Sequence, residues 1–354
     1  MQNWISRGSA FLAILALALI PAAAQPPRGG DAVQQIEIHS QAIEAFDPRE
    51  PERTRFGALA FRGGLALDSP HRDFGGLSAL HMMADGEHFL ALSDRGRWLR
   101  GRIVYRGGRP IAIADAEMAP VLGDDGRPLA RRGWYDTEAL AEADGIVYVG
   151  IERVNQIVRF DYRRDGLRAR GRPIAVPAGI KTLPHNKSLE CLAMVPKELA
   201  PKELAPKELA TKSGPLAGTL IAISEQGLDA GGNLLGFLIQ PSSGTFALRR
   251  TDDFDVGDCA IAPHGALLVL ERRFSWARGV AMRIRSVPLA TIKPGALIDG
   301  AELIFADMGH QIDNMEGLAV HRAADGAIVL TLISDDNFSP LQRTVLLQFT
   351  LVGE

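Results

Sequence analysis

The chain has 354 residues, with 39 Lys and Arg against 42 Asp and Glu and a formal charge of −3. A balance so close to neutral gives no field that would draw it to nucleic acid or to an anionic membrane surface. Two cysteines, Cys191 and Cys259, are too few for a metal cluster of their own.

Residues 1–24 read as a secretory signal peptide. Arg7 precedes an apolar run at 10–20, and Ala22-Ala23-Ala24 before Gln25 suits a cleavage site. The run is too short and wrongly flanked for a spanning helix, and no later segment reaches spanning length. The mature protein is therefore expected in the periplasm or secreted. Residues 25–34 read as a flexible leader and 35–354 as a single domain, whose first strands are expected near 35–39 and 57–67. Gly63-Gly64 marks a bend in the second of these.

From Phe74 onwards one unit recurs. A short apolar run opened by a polar or acidic residue turns at Gly and returns as a second apolar run ending on an acid. The paired residues are Ser78 with Asp94, Glu138 with Glu152, Glu190 with Glu225, Asp258 with Glu271, and Glu316 with Asp335. In the four uninterrupted copies their midpoints, 86, 145, 264.5 and 325.5, land on or beside the turn glycine. Asp-Gly between apolar runs is a strong hairpin signal, because Gly accepts the positive φ of a tight turn. A third apolar strand follows most copies. Short strands repeating every 50 to 70 residues or so predict an all-β propeller. Five blades are legible, and the strands before Phe74 are expected to complete a sixth or to close the ring against the C-terminal strands; six is favoured. In the third copy the turn is replaced by Pro-Lys-Glu-Leu-Ala repeated three times, an insertion at 196–212 read as an exposed loop at the far end from the acids.

In an antiparallel hairpin the start of the first strand and the end of the second lie together. The marked acids should therefore collect at one mouth of the ring, with Arg95, Arg153, Arg272 and Arg343 on the loops of that face. So many carboxylates would raise one another's pKa unless a cation neutralises them. An all-oxygen set suits Ca²⁺ rather than Zn²⁺. The metal is expected among Glu138, Glu190, Asp258, Glu316 and Asp335. Catalytic acids are expected from Glu316, Asp335, Glu138 and Glu271. The four arginines and Asn337 are expected to hold an anionic substrate. The competing expectation is that these acids tie blade to blade through backbone hydrogen bonds. His185 and His310 lie close before Glu190 and Glu316 and are the two histidines to examine. Cys191 and Cys259 are expected as buried thiols, since a bridge needs Cα atoms within about 7 Å and inner strands of neighbouring blades are expected to stand farther apart. Neither a Gly-x-Ser-x-Gly elbow nor a phosphate-binding glycine loop is present.

The chain resembles the exported bacterial family called phytase-like, or "esterase-like activity of phytase", from about Phe56 to the C-terminus. The stretches that carry the resemblance are Phe74-Gly75-Gly76-Leu77-Ser78, Ser93-Asp94-Arg95-Gly96, Asp136-Thr137-Glu138-Ala139-Leu140, Leu270-Glu271-Arg272-Arg273-Phe274 and Asp313-Asn314-Met315-Glu316-Gly317. The most specific is Ser334-Asp335-Asp336-Asn337-Phe338, followed by Gln342-Arg343. The resemblance implies a propeller and a hydrolase of phosphate or carboxylic esters. A small-molecule ester or phosphoester is thus the expected partner, with no obligate protein partner. The alternatives are a non-catalytic propeller binding a ligand or an envelope protein, and a lactonase-type enzyme of the kind built on gluconolactonase-like propellers.

Overall fold

The computed structural model describes residues 32–197, 214–276 and 279–353. The signal-peptide stretch and most of the Pro-Lys-Glu-Leu-Ala insertion lie outside the described residues. Five sheets surround a central axis. Their inner strands are Leu77–Met82, Thr137–Ala143, Leu189–Met194, Asp255–Ala262 and Asn314–Arg322, and each begins a run of neighbours stepping outwards, antiparallel except for the outermost pair of the second and third sheets. Each inner strand packs against the next, and the fifth returns to the first, so the ring is closed.

The expected sixth blade does not form among the described residues. Leu59–Asp68 instead pairs with the C-terminal strand Thr344–Leu351 and becomes the fourth strand of blade five, with His39–Ile43 outside it. Gln34–Gln35 joins the outer edge of blade one against Met118 and Glu117. The reason is hydrogen-bond satisfaction. Without the N-terminal strand, Thr344–Leu351 would be an open edge, and closing it from the other end of the chain pairs those groups. The register slips between Gln348 and Phe349 opposite Gly63, where φ is +146°, so the glycine bend expected at Gly63-Gly64 is real.

The apolar residues of the strands form five clusters, one for each blade-to-blade interface. Leu332 and Leu347 fill the seam between blades four and five, and Trp98 and Phe160 meet edge-on at 5.2 Å between blades one and two. Alternation along each strand puts one side-chain set into each seam.

Cys191 and Cys259 form a disulfide, which corrects the expectation of two free thiols. Their Cα atoms stand 5.1 Å apart because the inner strands of blades three and four converge near the axis. The bridge closes a 68-residue separation that includes the insertion. Replacing both cysteines by Ser should lower the unfolding free energy by about 2–4 kcal/mol, in line with loop-closure entropy. Urea melts of the variant against the oxidised parent measure it, and dithiothreitol should bring the parent to the same midpoint.

Candidate functional site

At the same end of every inner strand, the register against the second strand slips by one residue. The extra residue is Ser78, Glu138, Glu190, Gly257 or Glu316 in successive blades. A bulge re-aims the side chain it inserts, here towards the axis. The residue that follows the last pair before each bulge is Asp94, Glu152, Glu225, Arg272 or Asp335. Blade four is therefore out of step with the sequence expectation. Gly257 and Arg272 share the midpoint 264.5 with Asp258 and Glu271, so turn symmetry cannot separate the two assignments. A one-residue shift turns side chains to the opposite face.

Both displaced acids are held elsewhere. Glu271 is fully buried and accepts from Arg283 Nε at 2.7 Å and from Arg285 Nε and Nη2 at 2.7 and 2.6 Å. Asp258 accepts from the backbone N–H of Leu318 and of Cys259, each at 2.7 Å, and so ties blade four to blade five. Burial pushes its carboxyl well above the usual range, with these backbone donors opposing. Arg343 also leaves the expected set. It reaches Gln311 Oε1 at 3.0 Å, and its backbone N–H reaches Asp313 at 3.0 Å, clamping the loop before blade five's inner strand. Asn337 has φ of +50° and donates its backbone N–H to Asp335 Oδ1 at 2.6 Å. His185 is exposed, and His310 stacks on Phe46 at 5.0 Å beside Asp307, away from the acids.

The remaining acids do converge. Arg272 Nη2 stands 3.0 Å from Glu316, 3.1 Å from Glu225 and 3.6 Å from Glu190, bridging blades three and five. Lys187 Nζ reaches Glu225 at 2.8 Å, and the Ser188 N–H donates to Glu152. These cations do not neutralise the cluster. Burial, then Glu190 and Glu316, pushes the Glu138 carboxyl well up. Glu190 is raised by burial and then by Glu225. Glu152 rises to about 8 by burial and the nearby Glu225. Asp94 rises to about 7, chiefly by burial, against the pull of Arg95. Asp335 is raised by burial, then Glu316 and Asp94. Arg272 is held well above its ordinary range, because Glu316, Glu225 and Glu190 outweigh the burial that opposes its charge.

Glu152, Glu190 and Glu225 each offer a carboxylate oxygen, all within 4.8 Å of one another. Calcium–oxygen bonds of about 2.4 Å place opposed ligands about 5 Å apart, so the spread fits such an ion. Glu190 Oε2 is buried with no hydrogen-bond partner, an expensive state for a carboxylate oxygen unless something positive faces it. The residues present therefore fit a hard divalent cation. Glu138 and Glu316 border this triad, whereas Asp258 does not.

Asp136 was not among the expected site residues. Its N–H donates to the Asp94 carbonyl at 2.6 Å and its carbonyl accepts from Glu152 N–H at 2.9 Å, which locks blade one to blade two and fixes φ at +62°. Its Oδ2 is buried without a partner. The Asp-Thr-Glu spacing was the available signal, two residues before Glu138. On the same side, the Arg95 guanidinium lies 3.1 Å over the Phe338 ring and that of Arg153 4.8 Å over Tyr135. Neither makes a carboxylate ion pair among the described residues. A cleft of about 710 Å³ lies beyond Phe338 and Asp336 and is lined also by Phe74, His71 and Arg343, but by none of the clustered glutamates.

The family model described as "Phytase-like: Esterase-like activity of phytase" matches residues 72–338. The chain belongs to the phytase-like family. The matched span of this phytase-like protein runs from before blade one's inner strand through the Asp335–Phe338 loop, and so contains every acid of the mouth. No curated protein matches the sequence. Among solved structures, the crystal structure of Myxococcus xanthus glutaminyl cyclase is similar at 12% identity and a TM-score of 0.40, covering 80% of this chain and 94% of that one.

The raised carboxyls give the phytase-like domain a characteristic pH dependence. An acid whose folded pKa lies above its unfolded value binds more protons when folded, so its contribution to stability falls as pH rises through that window. With Asp94 near 7 and Glu152 near 8, the protein stripped with chelator should melt higher at pH 5 than at pH 8. Calorimetric scans across that range check the sign.

Proposed function

We propose that this protein is an exported hydrolase of phosphate esters, or of other esters, working at the acidic mouth with a bound divalent cation, Ca²⁺. The observation that carries this reading is the pairing of two features on one face. Glu152, Glu190 and Glu225 converge with the Glu190 Oε2 unpartnered, and Arg95 and Arg153 stand on the same face, backed by aromatic rings and close enough to Asp94 and Asp136 to draw on their charge. Membership of a phytase-like family agrees with it. Among the described residues no helix is long and apolar enough to cross a membrane. Export rests on the signal-peptide reading.

When bound, the cation supplies Lewis-acid polarisation of an ester oxygen. The protein's own residues do the rest. Arg95 and Arg153 bind and orient the anionic or polar acyl end of the substrate, their guanidinium planes fixed by Phe338 and Tyr135. Asp335, at the mouth end of blade five's second strand, takes the proton of the attacking water. Asn337 holds Asp335 in place through its backbone N–H. Glu316, held by Asn314 and Arg272, positions the guanidinium rather than reacting. Glu138 completes the negative wall beside the cation.

The test is a panel of phosphomonoesters, phytate, aryl esters and lactones, each with Ca²⁺ and with chelator. Turnover on phosphoesters that requires Ca²⁺ is the expected result. Lactone turnover alone would move the reading to a lactonase-type enzyme. No turnover on the panel and no Ca²⁺ thermal shift would leave a non-catalytic binding propeller. On the active substrate, Asp335→Asn should lower kcat by about 10²–10⁴-fold. Arg95→Ala with Arg153→Ala should raise KM by about tenfold or more while the fold melts normally.

A further inference from the structure

The acidic mouth already contains a cation of its own. Four of the five second-strand positions at the mouth carry an acid, Asp94, Glu152, Glu225 and Asp335, and the fifth carries Arg272. Opposite it, the bulge position that is Ser or Glu in the other blades is Gly257. A Cβ there would stand 3.2 Å from the Met315 carbonyl and 3.5 and 3.6 Å from Arg272 Cδ and Nε. The missing side chain is therefore the space through which Arg272 reaches the axis.

Its attachment is not the forked kind. Arginine in a settled pair presents two parallel N–H groups to one carboxylate. Here the single nitrogen Nη2 serves Glu316, Glu225 and Glu190, and Nε is buried with no partner. Two of those three carboxylates, Glu190 and Glu225, also belong to the triad whose oxygens lie within 4.8 Å.

We propose that Arg272 and a divalent cation are rival partners of Glu190 and Glu225, so that Arg272 offsets part of the mouth's charge without metal and sets how weakly the metal binds. This rests on the reading of the triad as a cation seat. A positive charge within a few ångströms of an incoming cation, in a partly buried site, opposes its binding directly. The guanidinium also holds the oxygens the cation would use. When the cation takes Glu190 and Glu225, Arg272 is left on Glu316 alone and turns its remaining donors to whatever anion enters the mouth. Metal affinity and anion affinity are then linked through one side chain, and by reciprocity an anion that draws Arg272 away tightens the metal. The ligand class that follows is a divalent metal together with a phosphate or carboxylate anion, bound more tightly together than apart.

The experiment is isothermal titration of the full mature protein, stripped with chelator, with Ca²⁺ at pH 8, with and without inorganic phosphate. Arg272→Met should tighten Ca²⁺ binding by about tenfold or more and abolish the effect of phosphate on it. Arg272→Lys, which keeps the charge, should stay within about threefold of the parent. Recovery of Arg272→Met in folded form only when Ca²⁺ is present would be the same result in another guise. Unchanged or weaker Ca²⁺ binding in Arg272→Met overturns the proposal, as does equal tightening by Arg272→Lys. A parent and an Arg272→Met variant that both fail to bind Ca²⁺ also overturn it. Because the readout is heat of metal binding, the outcome is separate from ester turnover. Unchanged Ca²⁺ binding in an Arg272→Met protein that still hydrolyses esters would sink this proposal and leave a hydrolase, while tighter metal binding in a protein that turns over no ester would do the reverse.

Discussion

Five similar strands brought to one axis impose like charge on like charge, and the site is shaped by that constraint. Whatever residue a repeat carries at the bulge position meets its own copies from the other blades. Glu138, Glu190 and Glu316 do so, and the adjoining Glu152, Glu225, Asp335 and Asp94 enlarge the field. Such a ring is unfavourable unless protons, an ion or an arginine neutralise it. Blade four supplies the arginine by breaking the repeat, with Gly257 and Arg272 where its neighbours carry larger or acidic groups. The raised carboxyls around it show how far one guanidinium falls short of neutralising the cluster.

Most of this architecture can be read from residue order. The hairpins follow from apolar runs flanking Asp-Gly, and the convergence of their acids follows from antiparallel pairing. Glu138, Glu190, Glu316 and Asp335 stand where that logic puts them. Asp258 and Glu271 do not, and the reason is instructive. A midpoint fixes where a hairpin turns but leaves open which of two nested pairs takes the bulge position at the mouth, and only a bulge, invisible in composition, decides it. Arg343 misled for a different reason. A loop arginine has several backbone and amide acceptors within reach, and Asp313 and Gln311 claim it first. Blade number was open because an N-terminal strand can begin a new sheet or complete an old one, and the pattern of apolar residues is the same in both.

The disulfide and the carboxylate ties act on the same seams as the apolar clusters. Asp258 bonds blade four to blade five through the Leu318 N–H, Ser78 donates to the Thr137 carbonyl at 2.6 Å, and Cys191–Cys259 joins blades three and four covalently. Each of these lies within a residue or two of the bulges. The groups that fix the ring and the groups that form the mouth alternate along the same short segments, so the acids are positioned by strands rather than by loops. A buried, hydrogen-bonded frame of this kind is what holds repelling charges at fixed separations.

Blade five is built from both ends of the chain. Arg62, in the strand that closes it, donates to Thr350 Oγ1 across a separation of 288 residues. A polypeptide emerging from its N-terminus makes Leu59–Asp68 early with His39–Ile43 along one edge, yet its other edge has no partner until Thr344–Leu351 arrives. Throughout synthesis the first four blades can gather, while the mouth stays open on the side where Glu316 and Asp335 belong. Assembly of the charged centre is thus deferred to the last strand, and a truncated product would carry neither a closed ring nor a complete site.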